Sequence, residues 1–211
     1  MADRRRRNGE LVPVESRAVD KSSLPALLQV ERLLRQNERA IVQTFIPVMR
    51  GSYVGASPEE RARDDQARRE ALHNMLARAA AEPALRATLE ALDEALATEP
   101  EEGAVEACLA ALIDTRVKLP HNLPIYLEAL IYDLVDEGFP PAVVAAACQR
   151  IRRESVFLPE ISEVLATCWE TLARYREQQR RVVEALDTRR RAERWLSNLN
   201  GSAGTGRSTD R

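Results

Sequence analysis

Apolar residues recur along most of this chain at steps of three and four, the spacing that lines one face of a helix. Ser23 can cap a first helix with Pro25 in its opening turn, continued by Leu24, Leu27, Leu28, Leu34, Ile41, Val42, Phe45 and Ile46. Pro47 and Gly51 end that pattern, and a loop bearing Tyr53 leads to Ser57-Pro58-Glu59-Glu60. A capping serine, a proline at the first helical position and acids facing the helix dipole predict a second helix there. It is charged as far as Glu70; Leu72, Met75, Leu76 and Ala79 then supply an apolar side. Pro83 opens a third segment (Leu85, Leu89, Leu92, Leu96), and after Pro100 and Gly103 a short helix resumes through Val105, Cys108, Leu109 and Leu112.

The densest pattern spans Leu123–Thr171. Leu123, Leu127, Leu130 and Leu134 form an apolar stripe, widened by Tyr126 and Ile131. Gly138 is placed for a left-handed helix end, with Phe139 to fold back on it and Pro140-Pro141 to open the next helix. That helix is predicted to turn Val144, Ala147, Cys148 and Ile151 inward, and Arg150, Arg152 and Arg153 outward. Pro159 opens a third helix, with Glu160 and Glu163 where the dipole favours anions. Phe157 and Leu158 are expected to plug the hole between the three helices.

Beyond Tyr175 the apolar residues Val182, Val183, Leu186, Trp195, Leu196 and Leu199 are widely separated by Arg, Glu and Gln. A continuous helix from Pro159 to Asn198 would run roughly 60 Å. Its thin stripe predicts an arm that pairs with a partner helix or ends marginally stable, with packing back on the N-terminal helices as the alternative. The expected class is all-α. Residues 23–114 form an N-terminal helical region, 115–175 a compact three-helix module and 176–199 an Arg-rich helical arm. A basic leader (1–22) and a tail (200–211) are expected to be disordered.

Composition supports a helical core: 45% of residues are apolar but only 4% aromatic, so Leu, Ala, Val and Ile must fill it. Net charge is only -2, although 30% of residues are charged, so charge acts through local patches. From Ala87 to Thr115 eight residues are acidic and none basic, whereas Arg174–Arg194 holds eight arginines against four acids. Of 31 basic residues only Lys21 and Lys118 are lysine, which leaves 29 arginines. Cys108, Cys148 and Cys168 show no metal-ligand spacing with each other or with His73 and His121, and read as small buried thiols. No apolar run approaches a membrane span, and Met1–Glu10 lacks a signal core, so a cytoplasmic chain with reduced thiols is expected. There is no phosphate-binding loop, dinucleotide fingerprint or metalloprotease motif, and both histidines read as surface residues. No catalytic residue, metal or cofactor is expected, and the chain reads as a non-enzyme.

One stretch carries a resemblance. Tyr126–Leu134 (YLEALIYDL), the Ala-rich helix Ala142–Arg153 (AVVAAACQRIRR) and the helix entry Phe157–Glu163 resemble a small helical module of phage and prophage proteins described as replicative helicase loader-like. The similarity covers about Thr115–Tyr175, and its motifs are helix entries and packing positions. It implies an adaptor that holds a ring helicase; without a nucleotide-binding loop, this chain would not be an ATPase. Partner-binding candidates are then Phe157, Glu160 and Glu163 at the turn, Arg150, Arg152 and Arg153 on the exposed face, and Trp195 as an anchor on the arm. An alternative is a DNA-binding protein touching phosphates through Arg4, Arg5, Arg6 and Arg7 and through Arg189, Arg190 and Arg191. A scaffolding homo-oligomer assembled through the long arm is a third reading.

Overall fold

A computed structural model describes residues 23–42, 57–116, 119 and 121–202. The leader with Arg4–Arg7, the loop bearing Tyr53 and the end of the tail lie outside the described residues. The fold is all-α, with no strand among the described residues. Its helices are α1 (Ser23–Leu27), α2 (Gln29–Val42), α3 (Pro58–Arg78), α4 (Glu82–Ala97), α5 (Glu102–Ile113), α6 (Leu123–Asp136), α7 (Pro141–Glu154) and α8 (Ile161–Ser202).

Local chemistry sets several boundaries. At the start of α3 the Ser57 N–H donates to Glu60 Oε2 at 2.8 Å and the Glu60 N–H donates to Ser57 Oγ at 3.2 Å, a closed capping box. At the end of α6, Gly138 takes φ 73°, a conformation that costs glycine nothing. The Phe139 N–H then reaches Leu134 O (3.2 Å) and the Gly138 N–H reaches Val135 O (3.1 Å), the paired bonds of a Schellman end. Phe139 folds back completely buried, with Trp169 edge-on at 4.9 Å between ring centres.

The 42 residues of α8 form the spine, about 60 Å long at 1.5 Å per residue. Its first two-thirds lies against α7, α4, α2 and α6, and its end against α3. Val164, Cys168, Leu172, Tyr175, Val182, Ala185 and Leu186 enter one large core that begins at Val30 and includes residues of α4 to α7. Ala192 and Leu196 join Leu72 and Met75 of α3 in a second, small cluster. The arm of residues 176–199 is therefore part of α8 and packs back on its own chain. Its inward positions follow a seven-residue repeat: Cys168, Tyr175, Val182, Arg189 and Leu196 alternate with Val164, Thr171, Gln178, Ala185, Ala192 and Leu199.

Residues 115–175 do not close on themselves. α6 rests on α5 and α8, whereas α7 is enclosed by α1, α4, α5 and α8. Pro141 to Cys148 is buried without a break, because Ala and Val let helices approach from every side. The core expected to belong to a three-helix module is thus completed by α4 and α5. Phe157 also departs from expectation: it is 62% exposed, and Phe139 fills the interior instead. The backbone explains this. The Tyr126 hydroxyl donates to Pro159 O at 2.8 Å, an Arg116 N–H donates to Ser155 O, and the Phe157 N–H donates to Ser155 Oγ at 3.2 Å. Held at these points, the α7–α8 loop leaves the Phe157 ring outside.

Candidate docking groove

The loop between α7 and α8 forms one wall of an open groove of about 630 Å³, lined by Leu119, Tyr126, Phe157, Leu158, Pro159, Glu160, Ile161 and Ser162. Apart from Glu160 and Ser162 the lining is apolar or aromatic. Leu119 is 49% exposed, and Val156 (66%) and Ile125 (66%) lie beside groove residues in the chain. Large apolar side chains left this open together on a folded chain mark an interaction surface more often than an accident of packing.

The groove's rigidity comes from its polar contacts. Tyr126 presents its ring to the groove and spends its hydroxyl on the loop backbone. Burial, with Cys148 and Glu163 nearby, pushes the Tyr126 phenol up to about 12, so it stays a donor at neutral pH. Glu163 accepts the Glu160 N–H at 2.9 Å and so closes the first turn of α8. Glu160 is exposed, and its carboxylate is the one charge among the described residues that line the groove.

The sequence candidates fall into separate places. Phe157 and Glu160 line the groove, and Glu163 serves the helix entry beside it. Arg150 bridges Glu154 (3.0 Å) and Glu170 (2.6 Å) on another face. Arg153 lines a cleft with that cluster, while Arg152 lies 3.5 Å from Gln149 Oε1 along a small crevice beside α1 and α5. Trp195, 46% exposed, lies with Leu72, Arg68 and Leu199 at the α3 end, roughly 50 Å along α8 from the groove by helical rise.

The arginines expected on DNA are partly engaged with the chain itself. Arg189 sits at an inward position, donates to Ala80 O at 3.1 Å and pairs with Glu193 at 2.9 Å. Arg190 lies 3.4 Å from Glu82, and Arg191 donates its Nε–H to the Asp187 carbonyl at 3.4 Å.

Sequence reasoning overlooked Leu119, Ile125, Tyr132 and Val156. For α6 the signal was present: Ile125, Ala129 and Tyr132 recur at steps of four and three, a second apolar stripe on a helix whose first stripe already met the core.

Among the described residues no three His, Cys, Asp or Glu side chains cluster as metal ligands would. All three cysteines are buried; desolvation pushes Cys108 and Cys168 up to about 12 and Cys148 well up, so each is a protonated apolar side chain. His73 and His121 are exposed. No described helix is long and apolar enough to cross a membrane. No protein-family model matches the chain, and neither a curated protein nor a solved structure matches it.

Proposed function

We propose that this protein is a non-catalytic helical adaptor that receives an apolar segment of a partner protein in the groove between α6 and the α7–α8 loop. The observation that carries the reading is the Phe157 ring, 62% exposed on a loop whose backbone is tied at Ser155 and Pro159. A preorganised apolar anchor lowers the ordering cost of association. Glu160 adds the preference for a segment with a basic residue beside its apolar ones. The resemblance of residues 115–175 to helicase loader-like modules makes a replicative ring helicase the first partner to test, and a phage or prophage replication region the first context.

The test uses the whole chain, because residues 115–175 share their core with α4 and α5. Purified replicative helicase is immobilised and challenged with the native protein and with Phe157→Asp. Retention of the native chain, weakened tenfold or more by Phe157→Asp at unchanged melting temperature, is the expected result. No retention, or equal retention of both, defeats the proposal.

Direct DNA binding has less behind it. Arg189 and Arg190 are occupied by Ala80, Glu193 and Glu82, which leaves Arg191 and Arg194 as the freer cations of the α8 surface they share with Asp187 and Ser197.

A further inference from the structure

α6 carries two apolar stripes, and among the described residues only one is covered. Leu130 and Leu134 are completely buried. On the opposite side Ile125, Ala129, Tyr132 and Asp136 recur at steps of four, three and four, which places them in one line along the helix. Ile125 is 66% exposed and Tyr132 68%, with Ala129 open to solvent between them. The line faces away from the core, while the groove opens to one side of it through Tyr126.

The charge on this helix is one-sided. Glu128, Asp133 and Asp136, with Glu137 at its cap, are all acidic, and α6 holds no lysine or arginine. By helical angle Glu128 borders the stripe on one side and Asp133 on the other, with Asp136 in line at its end. None of the four makes an ion pair among the described residues. Asp133, Asp136 and Glu137 also stand at the last turn, where the helix dipole is negative and a cation is the stabilising neighbour. No basic residue occupies that turn. The helix thus carries a local repulsion that its own chain does not relieve.

Together these features define what can cover the stripe. Nucleic acid or an anionic lipid surface is repelled by the acids. A second copy pairing α6 against α6 would set the same acids against each other. The basic face of α8 in a second copy fits poorly as well: beyond Tyr175 its large exposed apolar side chains among the described residues are Val183 and Trp195, far apart on the helix.

We infer that the outer face of α6 binds a basic amphipathic helix of a partner protein, its apolar residues over Ile125, Ala129 and Tyr132 and its cations beside Asp133, Asp136 and Glu137. Ala129, small between two large side chains, leaves a hole for an apolar knob of the partner. Lysine or arginine at the edge of the partner's stripe meets the acids and the negative end of the α6 dipole at once. This surface is a different side of α6 from the docking groove and stands or falls separately.

A fluorescent synthetic peptide built on a heptad of leucine and lysine, titrated with the full chain and followed by anisotropy, tests it. Saturable binding is expected, with the matching leucine–glutamate peptide roughly tenfold weaker or more. Tyr132→Ser should weaken binding roughly fivefold or more at unchanged melting temperature, since the side chain stands mostly in solvent. Asp136→Asn should weaken it severalfold while holding or raising the melting temperature, because an acid leaves the negative end of the helix. That opposite movement separates a partner contact from a structural role. Glu106→Gln, an exposed acid on α5, should leave binding unchanged. Equal binding of the two peptides, indifference to Tyr132→Ser, or an equal loss with Glu106→Gln overturns the inference. So does a dimer in sedimentation that Tyr132→Ser dissociates, because a second copy then occupies the face.

Discussion

The two ends of α8 are held very differently. Its first half is enclosed by α2, α4, α6 and α7 and shares a core with Val143, Val144, Leu130, Leu134 and Phe139. Among the described residues its last turns pack chiefly on α3, over Leu72, Met75, Ala192 and Leu196. One uninterrupted helix thus runs from a deep core into a shallow one. Local opening follows the density of buried apolar contact, so the α3 end should open at far lower free energy than the body. The proposed docking place, the Phe157 groove, stands at the well-buried end. Preorganised contacts need that support.

The strongest test of the contrast is Phe139→Ala. Phe139 is wholly buried at the Schellman end of α6 and braces Trp169, so its truncation removes both a core ring and the contact that seals a turn. A loss of about 3–5 kcal/mol in denaturant unfolding is expected, with α6, α7 and α8 affected together. A loss near 1 kcal/mol would mean that the turn, and not the core, carries this region.

Leu72→Ala probes the other end. Leu72 is 1% exposed, but few buried residues surround it and the site can collapse. The expected cost is about 2–3 kcal/mol, at the low side for a buried leucine. The sharper reading is by hydrogen exchange: amides of α3 and of α8 beyond Arg189 should lose protection while those of α4 to α7 keep theirs. Uniform loss across the chain would show that both clusters unfold as one unit.

The contrast also explains what could be read from the chain alone. Turn chemistry was legible because it is local: Ser57 with Glu60, and Gly138 with Phe139, depend on neighbours within a few residues. The packing of the arm was not. Its inward repeat contains Thr171, Gln178, Ala185, Arg189 and Ala192, which a search for large apolar residues scores as gaps. Small residues are what a close helix contact needs, and Arg189 is tolerated there because Ala80 and Glu193 receive it. The candidate groove was half legible. Phe157 and Glu160 stood out, yet the outward turn of Phe157 is imposed by Tyr126 and Arg116, more than thirty residues away in sequence. The arginine-lined cleft was less legible still: Arg150 and Arg153 were singled out, but nothing in the chain pattern brings Arg35 and Arg174 to them.

The smallest expected effect concerns pH and the start of α3. Glu60 accepts from Ser57, first through the Ser57 backbone N–H and then through its hydroxyl, and this holds the Glu60 carboxyl below the usual glutamate range. A carboxyl depressed in the folded state stabilises that state fully above its unfolded pKa, about 4.3 for glutamate. That contribution declines as pH falls through the folded value. Glu60 is fully exposed, so the change is slight and confined to the first turns of α3. Exchange of the Glu60 and Arg61 amides should quicken, relative to amides of α4, as pH drops below about 4.3. Glu60→Ala should remove the difference between the two helices, because the carboxylate that accepts the Ser57 N–H is then gone at every pH. Were α3 to keep its pH response in that variant, the capping box would not be its source, and the weak end of the molecule would owe its hold to the Leu72 cluster alone.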